Sequence, residues 1–197
     1  MKMNEVDAAP PRRREVAEWR RGQIIDAAMA VFGRAGVDAA SMKQVAAEAG
    51  IAPGLIYHYF ESKEALALAV IAERGFLPEL RRVLAESGGR PTREVLPLIQ
   101  AEFLQLLERR AHLAGVFAPS PNANPRIREG RQEIMAEGFR LLADYFDTRV
   151  NAGELRPHDT LASAQLLLAS CVFDRLIDTP PEPNAIIDII LNGIAAR

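Results

Sequence analysis

Apolar residues along this 197-residue chain recur at helical spacing almost throughout, with no stretch alternating as a half-buried strand would. Ile24, Ile25, Ala28, Val31 and Phe32 fall on one stripe of a helix at about 16–35, which Gly36 stops. A second helix starts at Ser41, where Gln44 three positions on completes a capping-box pattern. It ends at Gly50, since positive φ is cheap for glycine. Pro53 suits the first position of a third helix, where its missing N–H is no loss. Ser62 caps a fourth. Gly75 and Pro78 bend or divide it, and Gly88 and Gly89 close the segment.

The remainder keeps the same period. Thr92 caps a helix at about 93–110 with Val95, Leu98, Ile99, Phe103, Leu106 and Leu107 on one face. A short helix at 112–117 precedes a breaker-rich loop. Asn124 with Pro125 then opens a long helix bearing Ile127, Ile134, Leu141, Leu142, Tyr145 and Phe146, stopped by Gly153. The last two helices are too apolar for a single core stripe. One, at about 160–178, carries Leu166, Leu167, Leu168, Ala169, Cys171, Val172 and Phe173 nearly all round. The other, at about 184–196, carries Ile186, Ile187, Ile189, Ile190, Leu191 and Ile194. This excess predicts a homodimer, with Leu166, Phe173, Ile187, Ile190 and Ile194 as candidate contacts. The fold class is all-α.

Composition narrows the function. The longest apolar run, at about 166–173, is broken by Ser170 and is too short to span a bilayer. The N-terminal MKMNEVDAAPPRRR lacks the apolar segment of a secretory signal, so a cytoplasmic protein without a membrane partner is expected. A single cysteine, Cys171, excludes an internal disulfide. The three histidines lack helical metal-ligand spacing, so neither a metal nor another cofactor is expected.

The net charge of −2 is unusual for a nucleic-acid binder, but its distribution is uneven. Residues 1–63 carry nine Lys/Arg against eight Asp/Glu, whereas 64–197 carry fifteen against eighteen. Arg12, Arg13, Arg14, Arg20 and Arg21 face only Glu15 and Glu18 nearby. A modest basic arm on a near-neutral body suits a small DNA footprint.

The segment SMKQVAAEAGIAPGLIYHYFESK, residues 41–63, reads as two short helices joined by a tight turn. Ala46, Ala47, Ala49 and Gly50 let them cross closely. That is the sequence form of a helix-turn-helix, whose second helix enters the major groove of double-stranded DNA. With its flanks, from GQIIDAAMAVF to HYFESKEAL, the stretch resembles the N-terminal domain of the TetR family of transcriptional regulators. The resemblance covers about residues 20–66 and is strongest over Ile56 to Glu64. Beyond it, only the helical layout is similar.

The resemblance implies an all-α homodimer. Its first three helices bind DNA, and the rest forms an inducer pocket with a dimer interface built from the last two helices. It also implies repression relieved by a small molecule. The corresponding division is a basic arm at 1–14, a DNA-binding domain at 15–62 and an effector-binding and dimerisation domain at 63–197.

Candidate DNA contacts follow from position. Ser41 caps its helix and can bond a phosphate, and Lys43 projects from the same first turn. Pro53, Gly54 and Leu55 lie at the end of the third helix that meets base edges. Gly54 permits close approach. Tyr57 and His58 face outward and can donate to phosphates, with Arg20, Arg21 and Lys63 beside them. Ile56, Tyr59 and Phe60 form the buried side. Two positions depart from the family pattern. Ala52 stands where Ser or Thr often caps the third helix, and Pro53 replaces a commonly polar residue.

For an effector pocket the candidates are Phe103, Leu107, Phe117, Phe139, Tyr145, Gln165 and Asp174. Asp174 either pairs with an internal arginine or faces the ligand. The leading reading is a ligand-responsive repressor of a palindromic operator, released by a small apolar effector. A non-induced DNA binder of the same fold is the alternative. An enzyme lacks support, since the chain shows no nucleophile–base pair and no phosphate loop.

Overall fold

A computed structural model describes residues 13–109, 124–174, 182 and 184–194. Among them every regular element is a helix. In chain order these are α1 (Arg13–Ala35), α2 (Met42–Glu48), α3 (Pro53–Ile56), α4 (Lys63–Arg74) and α5 (Leu77–Glu86). α6 (Thr92–Arg109), α7 (Pro125–Asn151), α8 (Thr160–Asp174) and α9 (Ala185–Ile194) follow. The expected short helix at 112–117, with Phe117, lies outside the described residues, as do the side chains of Phe173, Asp174 and Ile194.

Local chemistry sets most boundaries. The Gln44 backbone N–H donates to the Ser41 hydroxyl at 3.3 Å, and the Ser41 N–H donates to the Gln44 side chain at 2.8 Å, closing the capping box. Gly36 and Gly50 adopt φ of 77° and 65°, left-handed conformations that reverse the chain on either side of α2. The Ser62 hydroxyl accepts the Ala65 N–H at 3.1 Å and starts α4. Gly75 ends α4, so the expected bend is a full division, and Pro78 lies in the first turn of α5.

Two boundaries and one buried face differ from expectation. α1 begins at Arg13, inside the stretch read as an arm, so Arg13 and Arg14 project from a helix. Thr92 is the first residue of α6 and not its cap. Its own N–H is satisfied by the Glu154 carboxylate at 2.5 Å. On α6 the inward stripe runs through Leu96, fully buried, whereas Leu98 is 40 % exposed. The step from Val95 to Ile99 puts position 96 on the core side and position 98 across from it.

Two hydrophobic clusters divide the molecule. The first joins Ile24, Ile25, Ala28 and Phe32 of α1 to Val45, Ala46, Ile56, Phe60, Leu66 and Val70, and it includes Ile127 from α7. The second joins Leu80, Leu96 and Ile99 to Leu142, Phe146, Leu167, Ile187, Ile190 and Leu191. Complete burial of an Ile, Leu or Phe side chain is worth about 1.5–3 kcal/mol, so these stripes dominate the stability of both halves. α7 contributes to both clusters and packs against α4, α5 and α8.

The terminal helices resolve into faces. On α8, Ala164, Leu167, Leu168 and Cys171 are buried, while Leu161, Leu166 and Val172 remain 43 %, 53 % and 44 % exposed. On α9, Ile187 and Ile190 lie in the chain's own core, which corrects their reading as intersubunit contacts. The stripe 187, 190, 191 follows helical i, i+3, i+4 spacing, which turns Ile189 outward at 65 % exposure.

Candidate nucleic-acid interface

α1, α2 and α3 form a compact tri-helical unit in which only one side of α3 is committed to the core. Ile56 is fully buried and Phe60 nearly so, with Tyr59 packed partly against the same cluster. Pro53, Gly54, Leu55, Tyr57 and His58 are exposed. Ser41 and Lys43, at the start of α2, are exposed as well. α3 is a single turn that closes tightly, the Tyr59 and Phe60 N–H groups both donating to the Ile56 carbonyl at 3.0 Å.

Gly54 is informative because the fold does not require it. Its φ is not positive, and a Cβ built on it would meet nothing within 4 Å. Glycine in a helix sacrifices about 1 kcal/mol relative to alanine. A glycine that serves neither the backbone nor the packing fits a position approached closely from outside. Ala52, before Pro53, has no side-chain capping bond, in keeping with the departure read from the sequence.

The basic candidates separate. Lys43 is exposed. Arg20 donates to the Gln23 side chain at 3.0 Å, and its guanidinium lies 5.0 Å from the ring of the exposed Trp19. Arg21 pairs with Glu73 of α4 at 2.6 Å and covers the Phe60 ring at 5.1 Å. Lys63 is turned to the loop before α2, donating to the carbonyls of Asp38 at 2.8 Å and Ala40 at 3.0 Å. Arg21 and Lys63 therefore brace the unit in the free chain. A further brace joins α4 to α1, where Arg74 bonds Asp26 at 2.7 Å, and that hydrogen bond raises the Arg74 guanidinium above its ordinary pKa. None of these braces is visible in the sequence, because each joins residues far apart along the chain. Trp19, 58 % exposed, was not among the sequence candidates, since its place outside the apolar stripe of α1 gave it no assigned role.

In the second half, Phe103 and Phe139 are half-buried against the second cluster, and the Phe103 ring lies 4.5 Å from that of Phe76. Leu107 is half-buried. Tyr145 is buried, with the Arg149 guanidinium 4.9 Å from its ring. Gln165 is exposed on the outward face of α8, apart from Phe103 and Phe139, because it shares that face with Leu161 and Val172. Among the described residues no group of His, Cys, Asp and Glu is arranged to hold a metal ion, and no helix is long and apolar enough to cross a membrane.

Known proteins share this arrangement. The family model described as bacterial regulatory proteins, tetR family, matches residues 24–76, from α1 into the α4–α5 junction. The fatty acid metabolism regulator protein of Bacillus subtilis is 24 % identical over 184 residues, covering 87 % of this chain and 94 % of the relative. The transcriptional regulator BetI of Rhizobium meliloti is 38 % identical over 87 residues, but that match spans only 43 % of this chain and 42 % of BetI. The crystal structure of Bacillus subtilis FadR in complex with stearoyl-CoA superposes with a TM-score of 0.71 at 23 % identity, covering 88 % of this chain and 98 % of FadR.

Proposed function

Because this chain belongs to the TetR family of bacterial transcriptional regulators, which bind DNA and are not enzymes, we propose that it is a cytoplasmic homodimeric repressor released from a palindromic operator by a small apolar effector. The observation that carries the DNA-binding half is the outward face of α2 and α3. Ser41, Lys43, Pro53, Gly54, Leu55, Tyr57 and His58 are exposed together, and the fold makes no use of a glycine at 54. In this reading Pro53, Gly54 and Leu55 meet base edges, while Ser41, Lys43, Tyr57 and His58 meet phosphates.

The dimer rests on the outer face of α8. Leu161 and Val172, eleven residues apart, share one flank of that face, Leu166 lies further round it, and Ile189 adds an exposed apolar residue on α9. Several large apolar side chains left facing solvent on adjacent helices fit a surface that another copy covers. A two-fold pair presents two equivalent reading heads, and hence a palindromic site.

The effector would lodge against the aromatic side chains of the second cluster, Phe76, Phe103 and Phe139. Tyr145 supplies a buried hydroxyl that has no hydrogen-bond partner among the described residues. A relative crystallised with stearoyl-CoA makes a long acyl chain the first probe. Release follows if the ligand favours a state in which α4 has moved and the two heads no longer fit successive grooves.

The test is selection of a duplex from a randomised library, followed by footprinting, sedimentation and titration with stearoyl-CoA. A palindromic footprint on a dimer, lost on adding the acyl-CoA, supports the proposal. A single asymmetric half-site overturns the operator reading. Binding unaffected by stearoyl-CoA or by other apolar ligands favours the non-induced alternative.

A further inference from the structure

We infer that Gly130 of α7 is a positioning residue for DNA reading, acting through Leu68 of α4. The inference rests on the DNA-binding reading above. A Cβ built on Gly130 would lie 2.6 Å and 2.7 Å from the two Cδ atoms of Leu68 and 3.2 Å from its Cγ. The two Cδ atoms must swing away, and Cγ must give by a few tenths of an ångström as well. The Leu68 side chain must turn in its seat, or the two helices must separate. Gly130 does not have positive φ, so the backbone has no need of glycine there. In a helix interior glycine weakens the element, and the space it leaves is taken up by Leu68. Gly138, eight residues along the same helix, has nothing within 4 Å of its built Cβ and serves as an internal control.

The crossing has a second tie one turn away on α4. Asn124 caps α7 by accepting the Arg126 N–H at 3.0 Å, and its amide donates to Glu64 at 3.2 Å. Glu64 and Leu68, four residues apart, lie on the same side of α4. The start of α7 is thus pinned to the first turn of α4, and the leucine fixes the height at which the two helices meet. Ile127, between the two ties, is buried in the first cluster.

α4 in turn holds the loop that leads into the reading unit. Lys63, its first residue, donates to the carbonyls of Asp38 and Ala40, immediately before the Ser41 cap of α2. α4 therefore links α7, met at Leu68, to the exposed start of α2, held by Lys63. The same α7 carries Leu142 and Phe146 into the second cluster. Packed side chains of this kind have discrete seats and do not deform continuously. A displacement of α7 by events in the second cluster must therefore carry α4 and the 38–41 segment with it.

The experiment uses the full chain in four variants: Gly130→Ala, Gly138→Ala, Leu68→Ala and the double Gly130→Ala/Leu68→Ala. Two quantities are read: amide exchange over 36–41 and 62–68, and affinity for the duplex that the wild type selects from a randomised library. Gly130→Ala should exchange about five-fold faster at 38–41 and bind about ten-fold more weakly, with Gly138→Ala matching wild type in both. Leu68→Ala should loosen the same segments. In the double variant the added methyl occupies part of the space that Leu68 vacates, and both quantities should return toward wild type. If Gly130→Ala behaves as Gly138→Ala, the inference is overturned. If Gly130→Ala does not fold, Leu68→Ala decides, and unchanged exchange at 38–41 in that variant overturns it. A wild type that selects no duplex refutes the DNA-binding reading, while the exchange measurement still decides the fate of Gly130.

Discussion

The Lys63 ammonium donates to the Asp38 carbonyl at 2.8 Å, across 25 residues of sequence. With the bond to Ala40, two of its three N–H groups are engaged within the chain. Lys63→Ala should therefore lower the stability of the free protein by about 1–2 kcal/mol, a magnitude typical of lost hydrogen bonds from a charged donor. The melting temperature checks this. A side chain that served phosphate alone would leave the melting temperature unchanged and reduce the salt dependence of DNA binding.

Gly54→Ala should act in opposite directions on folding and on binding. The free protein should gain about 0.5–1 kcal/mol, since alanine is the better helix former and no atom opposes the new methyl. Affinity for the selected duplex should fall. Parallel thermal melts and titrations test the pair of effects, and unchanged affinity would mean that α3 approaches the DNA elsewhere.

Substitutions on the outer face of the last helices should separate assembly from folding. Leu166→Glu and Ile189→Glu place charges where the side chains are more than half exposed, so helicity should persist while the proposed dimer is lost. Ile187→Glu buries a charge in the second cluster and should cost more than about 4 kcal/mol, unfolding the chain. Sedimentation velocity with circular dichroism distinguishes the two outcomes.

Ala52→Ser should raise stability by about 0.5–1 kcal/mol by supplying the side-chain cap that α3 lacks. An unchanged melting temperature would mean that water already serves those N–H groups equally well.

What the sequence made legible was local. The capping box of Ser41 and Gln44, the proline at the start of α3 and the glycine stops at 36, 50 and 153 depend on neighbours a few residues away, and all are present. The outward side of α3 follows from helical phase with Ile56 and Phe60 on the buried side. Phase failed on α9. Isoleucines at 186, 187, 189, 190 and 194 surround the axis, so pattern alone could not say that 187 and 190 face inward while 189 faces out. The partners of Lys63, Arg21 and Gly130 were hidden for a different reason. Each contact depends on how two helices are docked, and nothing in the few residues around either partner encodes it.

Ile127, part of the first cluster, lies 51 residues beyond the end of the tetR-family match at residue 76. During synthesis the reading head emerges with that side of its core still open. The last apolar wall arrives only after α5, α6 and the segment beyond them have been made. The head is thus completed late, by a helix that also belongs to the other half, and a chain cut after α4 would carry a recognition surface on an unfinished support.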